Sequence, residues 1–298
     1  MADRDSFSGY HPLVNFVYFA LVLGFGMMLM HPICLGLSLV CALLYAVYLN
    51  GRKAVRFSLA VLLPMLLMAV LVNPVFNHEG ATILMYLPDG NPLTLESIAY
   101  GAAAAVMLAA VMLWFSCFNA VMTSDKFVYL FGRVIPALSL ILAMALRFVP
   151  RFREQIKVIS DAQKCIGRDV SNGSIWRRAR HGIRILSIMV TWALENAIET
   201  ADSMKARGYG LPKRTAFSIY RFDGRDAAAM GFVLVCGGYI VVGAMLGGLA
   251  FRYFPTVKGV GAAAYSLSLF AAYFALGLMP LLLNMKEDMK WKALAARV

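Results

Sequence analysis

Acidic side chains are scarce in this chain, and charge of either sign is missing from long stretches of it. Of 298 residues, 16 are Asp or Glu against 28 Lys or Arg; charged residues make up 15% and hydrophobic ones 61%. Soluble domains carry about a quarter charged residues, so an ordinary water-soluble globule is excluded. The five cysteines, Cys34, Cys41, Cys117, Cys165 and Cys236, are scattered without ligand spacing, and His11, His31, His78 and His181 pair with no carboxylate or cysteine motif. No metal site is expected from them. There is no Gly-x-x-x-x-Gly-Lys-Ser/Thr run, which excludes a P-loop for ATP, and Gly259-Val260-Gly261 lacks the preceding strand of a dinucleotide site. Nor does a basic cluster precede the first apolar run or a small-residue cleavage site follow it, so that run is expected to stay in place rather than be cut off as a signal.

What is present is apolar sequence in lengths that match a bilayer. Uncharged runs cover Leu13 to Met30, Ile33 to Asn50, Phe57 to Phe76, Ser97 to Met122, Ala227 to Phe251 and Gly259 to Met285. Each can cross a hydrocarbon core of about 30 Å. Because that core offers no water to an unpaired backbone, all six are expected to be helical, and mean hydropathy of +0.71 agrees. The fold class is therefore all-α, a polytopic membrane protein of about six transmembrane helices with long amphipathic helices outside the bilayer.

Lysine and arginine set the expected sidedness. Arg52, Lys53 and Arg56 follow the second run, and Lys286, Lys290, Lys292 and Arg297 follow the sixth, whereas Asn77 to Glu96 holds His78, Glu79, Asp89 and Glu96 and no Lys or Arg. That acidic loop is expected outside, and both termini with the basic segments in the cytoplasm. Arg252 and Lys258, in the last outer loop, run against the rule but are outnumbered. The net charge of +12 borders apolar runs, where each basic residue near anionic headgroups is worth about 1 kcal/mol. Membrane lipids, not nucleic acid, are the expected charged partner.

Three regions follow: a four-span membrane region over 1–122, a cytoplasmic helical region over 123–226, and a two-span region with a basic tail over 227–298. The middle region is too polar for further spans and too long for a structureless loop. Its segment Val134 to Leu146 is apolar but short of a span, which suits the interface. Beyond it Arg147, Arg151, Glu154, Lys157, Asp161, Lys164 and Arg168 recur at steps of three or four, with Val149, Phe152, Ile156, Ile159 and Ile166 on another face. That spacing predicts a long amphipathic helix, with Pro150 bending it or marking its emergence from the interface. Opposite charges at Arg151/Glu154, Glu154/Lys157, Lys157/Asp161 and Asp161/Lys164 each add a few tenths of a kcal/mol. A turn at 171–174 leads to a second helix, Ile175 to Arg207, ended by Gly208-Tyr209-Gly210-Leu211-Pro212. One of its stripes carries Glu195, Glu199 and Asp202, another Leu194, Ile198, Ala201 and Met204. Each helix thus ends with an arginine, in Gly167-Arg168-Asp169 and in Ala206-Arg207-Gly208. The helix dipole alone favours a cation there, by about 0.3–1 kcal/mol.

These residues carry a resemblance. The run Ala145-Leu146-Arg147-Phe148-Val149-Pro150, the trio at 167–169 and Ala201-Asp202-Ser203-Met204-Lys205-Ala206-Arg207-Gly208-Tyr209 resemble the transmembrane T component of energy-coupling factor (ECF) transporters. The resemblance implies two X-Arg-X motifs at the ends of coupling helices that dock on two ABC-type ATPase subunits, with Arg168 in the first motif and Arg207 in the second. The first departs from the usual pattern, with Gly167 for alanine and Asp169 following. It also implies a small membrane S component that captures a vitamin or metal ion. This chain would then be a non-catalytic subunit without a cofactor, ATP being bound by its partners. Arginine suits such a joint because its planar guanidinium grips carboxylates bidentately. The apolar runs agree by omission, since membrane charges that mark ion paths are missing from them and small residues abound at Gly101 to Ala110. Two other classes fit the composition, a membrane enzyme acting on a phosphorylated lipid and a membrane anchor recruiting a cytosolic protein.

Overall fold

The computed structural model describes residues 5–86, 91–132, 136–171, 174–211, 220–259 and 264–295. The chain divides into two compact units, residues 1–126 with 220–298, and residues 127–219.

The first unit holds helices α1 (Pro12–Met28), α2 (Pro32–Asn50), α3 (Arg52–Phe57), α4 (Leu63–Phe76), α5 (Leu95–Val121), the start of α6 (Ser124–Gly132), α9 (Gly224–Met245) and α10 (Ala264–Ala295). Four of these, α2, α5, α9 and α10, are long and apolar enough to cross a membrane, and α1 and α4 are shorter apolar helices. The 17 residues of α1 still rise about 25 Å. The third run is helical for its whole length because a π turn, Ser58–Leu62, joins α3 to α4 without leaving the right-handed region. Pro64 gives the local reason, since it has no N–H to return to the carbonyl of Ala60 and the ladder must widen there.

Helices α1 and α2 start alike. His11 and His31 each precede a proline, and each accepts through Nδ1 the N–H two residues on, from Leu13 at 3.2 Å and Ile33 at 3.3 Å. The centre of the unit is α2 against α5 and α10, with α1 on α5 and α9, α9 on α10, and α4 on α5. Tyr18, Phe19, Tyr45 and Trp114 are wholly buried there, and the Trp114 indole donates to Ser38 Oγ at 3.1 Å. In contrast Leu63, Leu67, Leu71 and Val75 line one exposed stripe of α4, an apolar face that only lipid or another apolar surface satisfies. The connections from α4 to α5 and from α9 to α10 contain two small antiparallel strand pairs that periodicity did not predict: β1 (Ile83–Tyr86) pairs with β2 (Pro92–Thr94), and β3 (Phe251–Arg252) with β4 (Lys258–Gly259).

The second unit is a helical hairpin. Helix α7 (Pro136–Cys165) runs unbroken through Pro150, so from Pro136 on the segment expected at the interface and the amphipathic helix are one element of 30 residues. Helix α8 (Ile175–Ala206) matches the second predicted helix to within a residue. Asn172 and Gly173 of the predicted turn, and Val134 and Pro212, lie outside the described residues. Ile159, Ile185 and Met189 form the buried cluster, joined by Phe152, Val170 and Trp192. Phe152 meets Trp192 edge-on at 5.7 Å, and the Arg151 guanidinium lies 5.5 Å from the same indole. Asp161–Lys164 is the predicted charge pair that closes, at 3.6 Å; among the described residues the other three stay beyond ion-pair distance. Exposed pairs of this kind contribute little.

Candidate functional site

The two arginine-bearing trios sit where α7 and α8 stop, and both stops have the same construction. At the end of α7, Gly167 takes φ +74°, its N–H donates to the Lys164 carbonyl at 2.9 Å, and the Arg168 N–H donates to Gln163 at 2.9 Å. At the end of α8, Gly208 takes φ +82°, its N–H donates to Lys205 at 2.9 Å, and the Tyr209 N–H donates to Met204 at 3.0 Å. Each is a Schellman cap, in which a left-handed glycine lets two backbone N–H groups return to carbonyls that the ending helix would strand. Glycine is needed because a side chain at positive φ clashes with its own carbonyl.

The shared cap sets a register that motif spelling hides. Counted from the left-handed glycine, Arg207 is the residue before it and Arg168 the residue after it. The place of Arg207 is taken at the first end by Ile166, and the place of Ala206 by Cys165. Ile166 is 59% exposed, and Arg168 and Arg207 are exposed as well. Spelling finds X-Arg-X twice, but only the hydrogen bonds show that the two arginines are two positions out of step.

The first end is further shaped beyond its cap. Asp169 accepts from the Ser171 N–H at 2.9 Å and from the Ser171 hydroxyl, and these bonds hold its carboxyl below the usual range. Arg178, in the first turn of α8, donates from Nε to the Val170 carbonyl at 2.8 Å. The segment that presents Arg168 is therefore braced from both sides. The bracing by Ser171 and Arg178 has no motif spelling and escaped sequence reading.

The trios are not brought together. Phe152 and Ile159 of α7 face Trp192 and Ile185 of α8, so the helices run antiparallel across their contact. From there α7 continues about 10 Å to its cap and α8 about 22 Å to its own, in opposite directions. Two separate exposed ends result, each with a guanidinium. Along α8, Ile183, Leu186, Val190, Leu194 and Ile198 are all at least half exposed, an apolar stripe at steps of three and four. No group of three or more His, Cys, Asp or Glu able to hold a metal ion occurs among the described residues.

The model of the CbiQ family, described as cobalt transport protein, matches residues 11–217, more than half of the chain. The chain is a member of the CbiQ family. The match takes in both helix ends and stops short of α9. Among the relatives of this CbiQ member, the energy-coupling factor transporter transmembrane protein EcfT of Lacticaseibacillus paracasei is 35% identical over 109 residues, covering 36% of this chain and 41% of that protein. The protein of the same name from Brevibacillus brevis is 35% identical over 115 residues, covering 38% of this chain and 42% of its own length. The chain thus spans about two fifths of the length of the curated relatives it matches. Both comparisons agree with the ECF T-component likeness carried by residues 145–150 and 201–209. The apolar helices and this family together make the CbiQ member a membrane protein.

Proposed function

We propose that this CbiQ-family chain is the transmembrane scaffold and energy-coupling subunit of an ECF-type importer of a vitamin or metal ion. Its two helix ends dock on two ABC-type ATPase subunits, which bind the ATP; the chain itself catalyses nothing and carries no cofactor. Gly167, Arg168 and Asp169 form one docking end, and Ala206, Arg207 and Gly208 the other. Both ends, with the N- and C-termini, lie in the cytoplasm, and a small substrate-binding S component sits beside the chain in the membrane. Residues 1–122 and 227–298 serve as the two membrane regions and 123–226 as the coupling region.

The observation that carries this reading is the pair of exposed, glycine-capped ends at opposite limits of one antiparallel hairpin. A single anchored protein would need one such end; two ends tens of ångströms apart suit two partners moving relative to each other. The apolar stripe Ile183–Ile198 on α8 supports the further contact with an apolar membrane subunit, because such a face stays unsatisfied in water.

A pull-down in mild detergent with this chain as bait tests it, the expected result being co-purification of two ATPase subunits and a small hydrophobic subunit. Arg207→Glu is expected to lose ATPase capture by more than tenfold, since stranding a paired charge costs about 2–5 kcal/mol. Wild-type transport by the assembled Arg207→Glu complex overturns the role of that end.

A further inference from the structure

The polypeptide leaves the first unit after Lys126 and returns to it at Tyr220, so two stems of chain connect the hairpin unit to it. Both stems meet the same short stretch near the N-terminus. Lys126 is 5% exposed and donates from Nζ to the Ser8 carbonyl at 2.6 Å, to Ser8 Oγ at 2.9 Å and to the Val121 carbonyl at 2.8 Å. An ammonium has three N–H donors, and all three are used. On the returning stem, the Arg225 guanidinium lies 4.3 Å from the centre of the Tyr10 ring and Nη2 donates to the Gly9 carbonyl at 3.4 Å. Asp226, 3% exposed, accepts the His11 N–H at 3.1 Å, and Phe222 meets the His11 ring edge-on at 5.3 Å.

The stretch is itself fixed to the bundle. Phe7 is wholly buried against Tyr18 and Phe19, and its N–H donates to Asn284 Oδ1 of α10 at 3.1 Å. Asp5 accepts from Asn284 Nδ2 at 2.6 Å and from the Tyr45 hydroxyl of α2 at 3.2 Å. Ser8 to Tyr10, and Arg225 with Asp226, fall outside the residues matched by the family.

We propose that Ser8–His11 is a clasp that ties both stems of the coupling hairpin to α1, α2 and α10, with Lys126 and Arg225 as its positioning residues. The claim rests on the coupling role above: a pull on either helix end enters the bundle through the stems, and the clasp makes the two stems move as one. Without it each stem becomes a hinge, and movement of the hairpin dissipates there. Lys126 is a poor choice for stability alone. Burial pushes its ammonium down to about 8, although Asp5 nearby opposes the shift, and a buried cation is kept only with every donor paired.

Two variants test the clasp. Lys126→Met keeps the aliphatic length and removes the donors; Arg225→Ala changes an exposed position and threatens folding least. Hydrogen exchange on the purified chain alone reports the clasp whether or not any ATPase docks. Amides of residues 121–126 and 220–226 are expected to exchange at least tenfold faster in either variant, with α7 and α8 unchanged. In the reconstituted complex, substrate imported per ATP hydrolysed is expected to fall at least tenfold while ATPase capture stays at wild-type level. Unchanged exchange at the stems overturns the clasp, and faster exchange with wild-type import per ATP overturns its part in transmission. A wild-type chain that captures no ATPase overturns the coupling reading instead and leaves the exchange result to decide the clasp.

Discussion

Arg207 and Ile166 occupy the same place in two helix caps of one construction, and that makes the two proposed docking ends unequal. The guanidinium of Arg207 projects from the C-cap of α8, directly before the left-handed glycine, whereas Arg168 projects from the turn beyond its glycine, held by the Asp169–Ser171 bonds. Arg207→Ala is therefore expected to weaken ATPase capture by about 2 kcal/mol or more, near thirtyfold, and Arg168→Ala by clearly less. Ile166→Arg, which restores the guanidinium to its place in the cap, is expected to tighten capture; equal losses at both arginines and no gain from Ile166→Arg would show that the cap does not set the docking register. A second residue-scale consequence concerns His31, which lies among Phe251 and Phe270 and caps α2 through an unprotonated Nδ1. Burial holds its imidazole below the ordinary 6.5. The unfolded chain then takes up its proton at a higher pH than the folded one. The cap's contribution is complete above about 6.5 and is lost as pH falls toward the lower folded value. Melting temperature in detergent is expected to drop between pH 7 and pH 5, and to drop less in His31→Asn, which keeps a cap of about 1 kcal/mol without titrating.

At the scale of elements, the sequence spoke where periodicity is long and fell silent where geometry is local. The apolar runs and the stripe from Arg147 to Arg168 repeat over many turns, so α2, α5 and α8 could be placed to within about two residues, whereas α9 stops at Met245 before its run ends at Phe251 and α10 continues to Ala295 past the end of its run at Met285. The π turn at Ser58–Leu62 hangs on one proline, and the hairpins at 83–94 and 251–259 on a handful of backbone bonds, so no pattern announced them. The candidate site divides in the same way: residues 167–169 and 206–208 were legible as short spellings, but their relative register, and the bracing by Ser171 and Arg178, are hydrogen-bond facts with no spelling. The caps carry their own prediction. Gly167→Ala and Gly208→Ala each force a Cβ into the left-handed region, a cost of about 1–2 kcal/mol. At Gly208 the new Cβ also comes within 3.0 Å of Leu211 Cδ1, while at Gly167 nothing lies within 4 Å. Amide exchange at Tyr209 and Arg168 is expected to speed by about tenfold or more, with the larger change at Tyr209. Unchanged exchange in both variants would mean that the glycines do not hold the ends.

For the molecule as a whole, the proposed sidedness can be read from a thiol already in the chain. Cys34, Cys41 and Cys117 are buried and Cys236 is half-buried within an apolar helix, whereas Cys165 is exposed beside Ile166 at the end of α7. A maleimide that cannot cross membranes should therefore modify Cys165 alone. If the hairpin unit is cytoplasmic, as proposed from the lysine and arginine distribution, the label is taken up by inside-out vesicles and refused by right-side-out ones. Labelling in right-side-out vesicles reverses the orientation and removes the helix ends from any cytoplasmic ATPase. The same thiol lies two residues before Gly167, where the proposed first docking end begins. Binding of the ATPase pair is accordingly expected to slow its modification, and Arg207→Glu, which releases the opposite end, to restore the rate only insofar as the two ends dock together. Full protection in that variant would mean that each end holds its own subunit independently, and that any coupling between them passes through the hairpin rather than through the ATPase pair.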